Sequence, residues 1–228
     1  MQSFFVIMGI IGVGMVWYGM TEGSPNAKLV KKLCENKTPE ESKVIEYFVA
    51  EGCMVSTMPD EEYLDMVIKK RDGMDFKKMA IAKIGLDEDE INEIPPAMFR
   101  GFTFNDAYAK RLANGDWVSS KYEVSWIFFS STQVYIYVHS FSMDDSSFKA
   151  VYTREFFYKD VTSFSTSSKT ETTRFYEAAK NAERTVTSNK FTLIVPGDSL
   201  PVAMESTPED DEKIQAMKHK LREKKQQA

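Results

Sequence analysis

Near Met98 the spacing of apolar residues changes from three or four to two, and this change of period constrains the fold more than any other feature of the chain. Before it, apolar residues recur at helical spacing behind clear start signals. Thr38-Pro39-Glu40-Glu41 supplies an N-cap, a proline at the first helical position and a glutamate at the capping-box position. Val44, Ile45, Phe48 and Val49 then form one stripe, ended by Gly52. Pro59-Asp60-Glu61-Glu62 opens a second segment with Tyr63, Leu64, Val67 and Ile68 on one face. A third starts near Asp75, turns Phe76, Met79, Ala80 and Ile84 inward, and stops at Gly85. Asp87 caps a fourth, with Ile91 and Ile94 inward and Pro95-Pro96 at its end.

From Met98 the pattern is that of strands. "MFRGFTF" reads as the first, and residues 121–143 as a hairpin turning at Ser130-Ser131-Thr132. Tyr122, Val124, Trp126 and Phe128 alternate on the way out, and Val134, Ile136 and Val138 on the way back. "KAVYTREFFYKDVTSFSTS" gives two more strands, and "KFTLIVPG" and "SLPVA" complete the sheet. Between them Phe175, Tyr176, Ala179 and Ala182 fit a short inserted helix. Thr207-Pro208-Glu209-Asp210 starts a final helix with Ile214, Met217 and Leu221 on one face. The expected core is Trp126, Phe128, Val134, Ile136, Phe156 and Phe164, with Met217 and Leu221 covering one end.

The chain is thus expected to be α+β: a hydrophobic segment with its linker (1–25), a small helical bundle (26–94), and an antiparallel sheet closed by a C-terminal helix (95–228). "REFFYKDVTSF" resembles the Y-x-D-I-x-x-V strand junction of bacterial pleckstrin-homology-like (PH-like) domains. "SLPVAM" before a helix ending "MKHKLREKK" is also similar to small bacterial proteins carrying such a domain. The resemblance covers about half the chain and implies a bent antiparallel sheet plugged by the last helix. It brings no catalytic residues with it. An antiparallel sandwich or barrel of other connectivity fits the same alternation.

Residues 4–20, "FFVIMGIIGVGMVWYGM", carry no charge. At 1.5 Å per residue this run reaches ~25 Å as a helix, the short end of a bilayer span. Phe4, Ile7, Ile10, Ile11, Val13 and Val16 supply its apolar surface, and Trp17 and Tyr18 stand where an interfacial anchor belongs. No basic n-region precedes it and no small-residue cleavage pattern follows, so an uncleaved anchor is favoured over a signal peptide or a segment buried in an assembly. Lys28, Lys31, Lys32 and Lys37 follow the run and no Lys or Arg precedes it. The positive-inside bias then predicts a single-pass cell-membrane protein with its amino terminus outside and its bulk in the cytoplasm. Two cysteines, Cys34 and Cys53, fit reduced thiols there.

The chemistry can be narrowed by what is missing from the sequence. The net charge is −5 and no segment is strongly basic, which argues against nucleic acid. With only His139 and His219, triads and histidine metal sites have little material. His139 reads as a structural histidine on a strand's polar face, and His219 as a complement to the last helix's dipole. Asp87-Glu88-Asp89-Glu90 lacks the glycine and spacing of a calcium loop. No Gly-Lys-Ser/Thr follows the glycines of "GIIGVG", and Lys110-Arg111 alone is too small a basic set for an inositide headgroup. No cofactor or metal is expected. Lys218, Lys220, Arg222, Lys224 and Lys225 are the candidate contact with an anionic surface. The favoured reading is a non-catalytic interaction or scaffolding module, held to membrane lipid by residues 4–20 and facing an unidentified protein partner. The alternatives are a structural subunit with residues 4–20 buried in a complex, and an enzyme with a pocket between the helical and β regions.

Overall fold

A computed structural model describes residues 25–50, 58–87, 95–177 and 180–227. The hydrophobic run, Gly52, Cys53 and the fourth expected helix lie outside them. Among the described residues no helix is long and apolar enough to cross a membrane.

Among the described residues four helices come first: α1 (Pro25–Leu33), α2 (Pro39–Val49), α3 (Asp60–Asp72) and α4 (Phe76–Ile84). The capping box of α2 forms as its sequence predicts. Thr38 Oγ1 accepts from the Glu41 amide at 3.2 Å, and Glu41 Oε2 accepts from the Thr38 amide at 2.8 Å. Asp75 caps α4 by accepting from the Lys78 amide, and Gly85, at φ +80°, closes it in the left-handed conformation. Val44, Ile45, Tyr47, Phe48 and Val49 are buried on α2. On α3 and α4 the inward face is narrower than expected. Tyr63 and Val67, and Phe76 and Ala80, point in as i, i+4 pairs, while Ile68 and Met79 are exposed.

The sheet begins with a meander in the order β1-β4-β5-β6. Its strands are β1 (Ala97–Thr103), β4 (Lys121–Phe129), β5 (Gln133–Ser142) and β6 (Lys149–Phe157), all antiparallel. Between β1 and β4 a short ribbon is inserted, β2 (Ala109–Arg111) with β3 (Trp117–Ser119). Its turn is marked by Asn114-Gly115, with Gly115 at φ +95°. A second meander follows: β7 (Ser163–Glu177), β8 (Lys180–Val195) and β9 (Asp198–Ala203), then α5 (Pro208–Gln227). The short helix expected around Phe175–Ala182 is not formed. Phe175 pairs with Ala182 and Tyr176 with Asn181 in a register that runs unbroken from Ser163↔Ile194. Continuous ladder pairing along a Thr- and Ser-rich hairpin satisfies all the backbone groups that face between the two strands, whereas an isolated helical turn would satisfy few. Ala179 lies outside the described residues. The two meanders meet where β1 approaches β9: a Cβ on Gly101 would lie 3.1 Å from the Met204 amide nitrogen.

The first sheet separates two cores. Ile127, Phe129, Val134, Ile136 and Val138 face the second meander and α5, with Phe164, Phe191, Leu193, Ile214, Met217 and Leu221. Tyr122, Val124, Phe128, Tyr137 and Phe141 face the other way, into the helical layer with Tyr47, Phe48, Tyr63 and Phe76. The expected core is corrected accordingly: Val134, Ile136 and Phe164 lie between the sheets, but Phe128 belongs to the helix-facing core. Trp126 and Phe156 are only half-buried. Polar ties cross the same junction. Tyr63 Oη donates to the Ser119 carbonyl at 2.6 Å, Lys70 Nζ to the Ser142 carbonyl at 2.7 Å, and the Ser146 amide to Glu41 Oε1 at 2.6 Å.

Candidate functional site

The most open feature of the described structure is the outer side of β6. Its sequence, KAVYTREFF, alternates without proline or glycine, so it forms an unbroken nine-residue strand. It pairs with β5 from Gln133↔Phe157 to Phe141↔Lys149. Among the described residues no strand pairs with its other side, which leaves a row of amides and carbonyls facing outward. Exposed apolar groups concentrate there. Of the five exposed large hydrophobic residues among those described, three lie on β6: Val151 (39 %), Tyr152 (36 %) and Phe157 (48 %). The register puts Lys149, Val151, Thr153, Glu155 and Phe157 on the face that the helices cover in β4 and β5. Ala150, Tyr152, Arg154 and Phe156 fall on the opposite face. The Tyr152 hydroxyl is pushed up to about 12, first by burial and then by the Glu123 carboxylate. It therefore stays neutral at physiological pH.

The buried carboxylates between and beside the sheets have structural partners. Glu123, between the sheets, accepts from the Ala203 amide (2.7 Å) and Ser140 Oγ (3.2 Å), and burial raises its carboxyl pKa. Glu171 pairs with Lys190 at 3.3 Å and accepts from Ser188 at 2.7 Å. His139 is not on a polar face as the sequence suggested. It is 3 % exposed, lies edge-on to Phe76 with ring centres 5.2 Å apart, and shares a hydrogen bond with the Tyr137 hydroxyl at 3.0 Å. Burial lowers its pKa, and its Nε2 is buried without a partner, as are Trp126 Nε1 and Ser125 Oγ. Val124 stands opposite His139 in the adjacent strand, which is why this histidine shares the helix-facing core.

A cleft of about 750 Å³ opens between α2, α3 and the β5–β6 loop, lined by Met66, Met74 and Met143 with Lys69, Lys70 and Glu41. Its two best-placed charges are engaged. Lys70 binds the Ser142 carbonyl and lies 5.5 Å from the Phe141 ring centre. Glu41 is held down to about 2 by the Ser146 and Thr38 amides. A second cleft, of about 480 Å³, lies by the β2–β3 ribbon. Its Glu205 is bound to Tyr122 (2.5 Å) and Arg100 (3.1 Å). Among the described residues no three His, Cys, Asp or Glu side chains converge as a metal site would require.

Of the residues singled out from sequence, Phe4, Ile7, Ile10, Ile11, Val13, Val16, Trp17 and Tyr18 lie outside the described residues. Lys218, Lys220, Arg222, Lys224 and Lys225 all fall on α5. Helical spacing puts Lys218 and Arg222 on one flank of the buried Met217–Leu221 stripe and Lys220 and Lys224 on the other, so these four do not form one patch. Lys220 is paired with Glu223 at 3.1 Å. Sequence reasoning missed the β6 edge as a site, because strand alternation does not reveal which strand ends a sheet. The unrelieved run Val151–Phe157, with charges but no proline, was the available signal. No protein-family model, curated protein or solved structure matches the chain.

Proposed function

We propose that this chain is a membrane-tethered, non-catalytic interaction module that recognises another polypeptide strand along the free edge of β6. The observation that carries the reading is the concentration of exposed apolar side chains on an edge strand that has neither proline nor bulge and, among the described residues, no partner on its outer side. Strand addition draws affinity from main-chain hydrogen bonds and specificity from alternate side chains, and β6 offers both. A four-strand meander, a three-strand meander and a closing helix, in that order, support the PH-like reading of residues 95–228. The uncharged run 4–20 and the lysines behind it support a single-pass tether with the amino terminus outside and the bulk cytoplasmic. The helical layer and the sheet are then the rigid support that presents the edge.

The test is site-specific photo-crosslinking of the full chain on native membranes, with benzoyl-phenylalanine in place of Tyr152 and, as a control, in place of the exposed Ile68. A protein adduct from position 152, absent from 68, is expected. Equal or no crosslinking at the two positions refutes the edge as the recognition surface. Release of the chain by alkaline washing refutes the tether, which is hydrophobic and not electrostatic.

A further inference from the structure

We infer that β6 pairs antiparallel with β6 of a second copy of this chain, about a two-fold axis through Tyr152, so that Lys149 of each copy faces Glu155 of the other. The inference rests on the reading of β6 as a recognition edge and names the strand that fills it. Two identical edges can pair antiparallel only about an axis perpendicular to the sheet, and a given register puts one residue of β6 opposite itself. The charge pattern of the strand chooses among the registers. Centring on Arg154 or Glu155 sets like charges directly against each other, which opposes pairing. Centring on Thr153 sets Lys149 against Phe157 and Glu155 against Val151, leaving both charges without a counterpart. Centring on Val151 leaves Glu155 facing a loop serine, Ser147.

Among the registers that pair five or more residues of β6 with β6, only the one centred on Tyr152 matches opposite charges, and symmetry makes it do so twice. Val151 then meets Thr153 beside the ion pairs on the helix-covered face. On the opposite face Ala150 meets Arg154, Phe148 meets Phe156, and the two neutral Tyr152 rings meet at the axis. The three exposed apolar residues of the edge are drawn towards the junction, and the two four-stranded sheets become one of eight strands. The axis direction supplies a second argument. A two-fold perpendicular to the sheet leaves both helical layers on the same side, because each layer covers the same face of its own sheet. Both α1 helices, which follow the hydrophobic runs, therefore leave from one side of the pair, as two chains tethered in one bilayer require.

The experiment uses the full chain in two differently tagged copies, co-expressed and extracted in mild detergent, with self-association measured by sedimentation velocity and by co-purification. The wild type is expected to be dimeric. Lys149→Glu and Glu155→Lys each replace two attractions by two repulsions, and each is expected to weaken the dimer by about tenfold to a hundredfold. The double variant Lys149→Glu/Glu155→Lys restores the pairs with reversed sign and is expected to recover dimerisation, an outcome that damaged folding does not produce. A wild-type monomer, a dimer indifferent to either single reversal, or a folded double variant that stays monomeric overturns the inference. Photo-crosslinking at position 152 separates its failure from that of the edge reading. An adduct with the mass of two chains supports self-pairing. An adduct with a different protein overturns self-pairing and leaves the edge intact, and no adduct overturns both.

Discussion

Tyr63→Phe removes a single hydroxyl from the junction between the helical layer and the sheet, and its effect reports whether the two unfold together. Tyr63 is fully buried, and its hydroxyl donates to the Ser119 carbonyl at 2.6 Å. Its ring is stacked on Tyr47 with centres 4.6 Å apart and set edge-on to Phe48. Phenylalanine keeps both ring contacts, so the change isolates the hydrogen bond. Loss of such a bond from a buried site costs about 1–2 kcal/mol. In a chain of this size that lowers the midpoint by about 2–8 °C. Tyr63→Ala also leaves a cavity and should cost roughly 3–5 kcal/mol. The assay is urea unfolding followed in parallel by tryptophan fluorescence and far-ultraviolet circular dichroism. In a Trp17→Phe background the emission comes from Trp117 and Trp126, both on sheet strands, while the helical dichroism reads the layer that carries Tyr63. If the layers share one cooperative transition, fluorescence and dichroism shift together to lower urea. A fluorescence midpoint unmoved by Tyr63→Phe, with helical signal lost earlier, would falsify the shared-core argument and restore two separable units at residue 94.

Phe128→Ala should destabilise by roughly 3–5 kcal/mol in the same assay, because Phe128 is fully buried against the helices. Trp126→Ala should cost clearly less, since that ring is half-exposed and its Nε1 has no acceptor to lose. Glu41 has a folded pKa of about 2 against an ordinary value of 4.5, so its contribution is complete above about pH 4.5 and disappears as the pH falls through 2. Glu41→Gln should flatten stability across that window, and an unchanged acid limb would show that the Ser146 tie is idle. His139 has its pKa lowered from 6.5 by burial, so the folded form resists protonation and stability declines as the pH drops below about 6.5. His139→Gln should remove that decline in urea titrations at pH 7.5 and 5.5. Cys34 is half-buried and its thiol pKa is raised by burial. An impermeant thiol reagent is expected to spare it on intact cells and to label it after lysis; labelling of intact cells would reverse the proposed orientation.

Local signals made much of this fold legible. The α2 start is written in Thr38 to Glu41, and the β4–β5 hairpin in strict alternation around Ser130-Ser131-Thr132. What the pattern concealed was long-range. Alternation shows that one face of β4 is apolar, but Trp126 to Phe129 is an uninterrupted apolar run, the mark of a strand buried on both sides. Two cores, and the burial of His139 beneath Phe76, follow from that. The β2–β3 ribbon was not read from the sequence, although Asn114-Gly115 is a turn signal, because its strands are only three residues long. Phe175, Tyr176 and Ala182 imitate a helical stripe, and only the continuous pairing of β7 with β8 decides against it. The β6 edge was the least legible, since edge position belongs to the order of strands and not to any one of them.

The tie between Glu41 and Ser146 joins residues 105 positions apart, and this separation sets a schedule for biosynthesis. At ~5–20 residues per second the ribosome takes about 5–20 s to travel that distance. Through the later part of this interval Val44, Tyr47, Phe48 and Tyr63 have been made while the sheet that will cover them is still being translated. The nascent helical layer thus presents an uncovered oily face, and chaperones have that window in which to occupy it. Synonymous codons that slow translation between residues 87 and 142 lengthen the window without altering any bond of the finished protein. Their effect falls on yield and on aggregation during expression, and the melting temperature of the molecules that survive is unchanged.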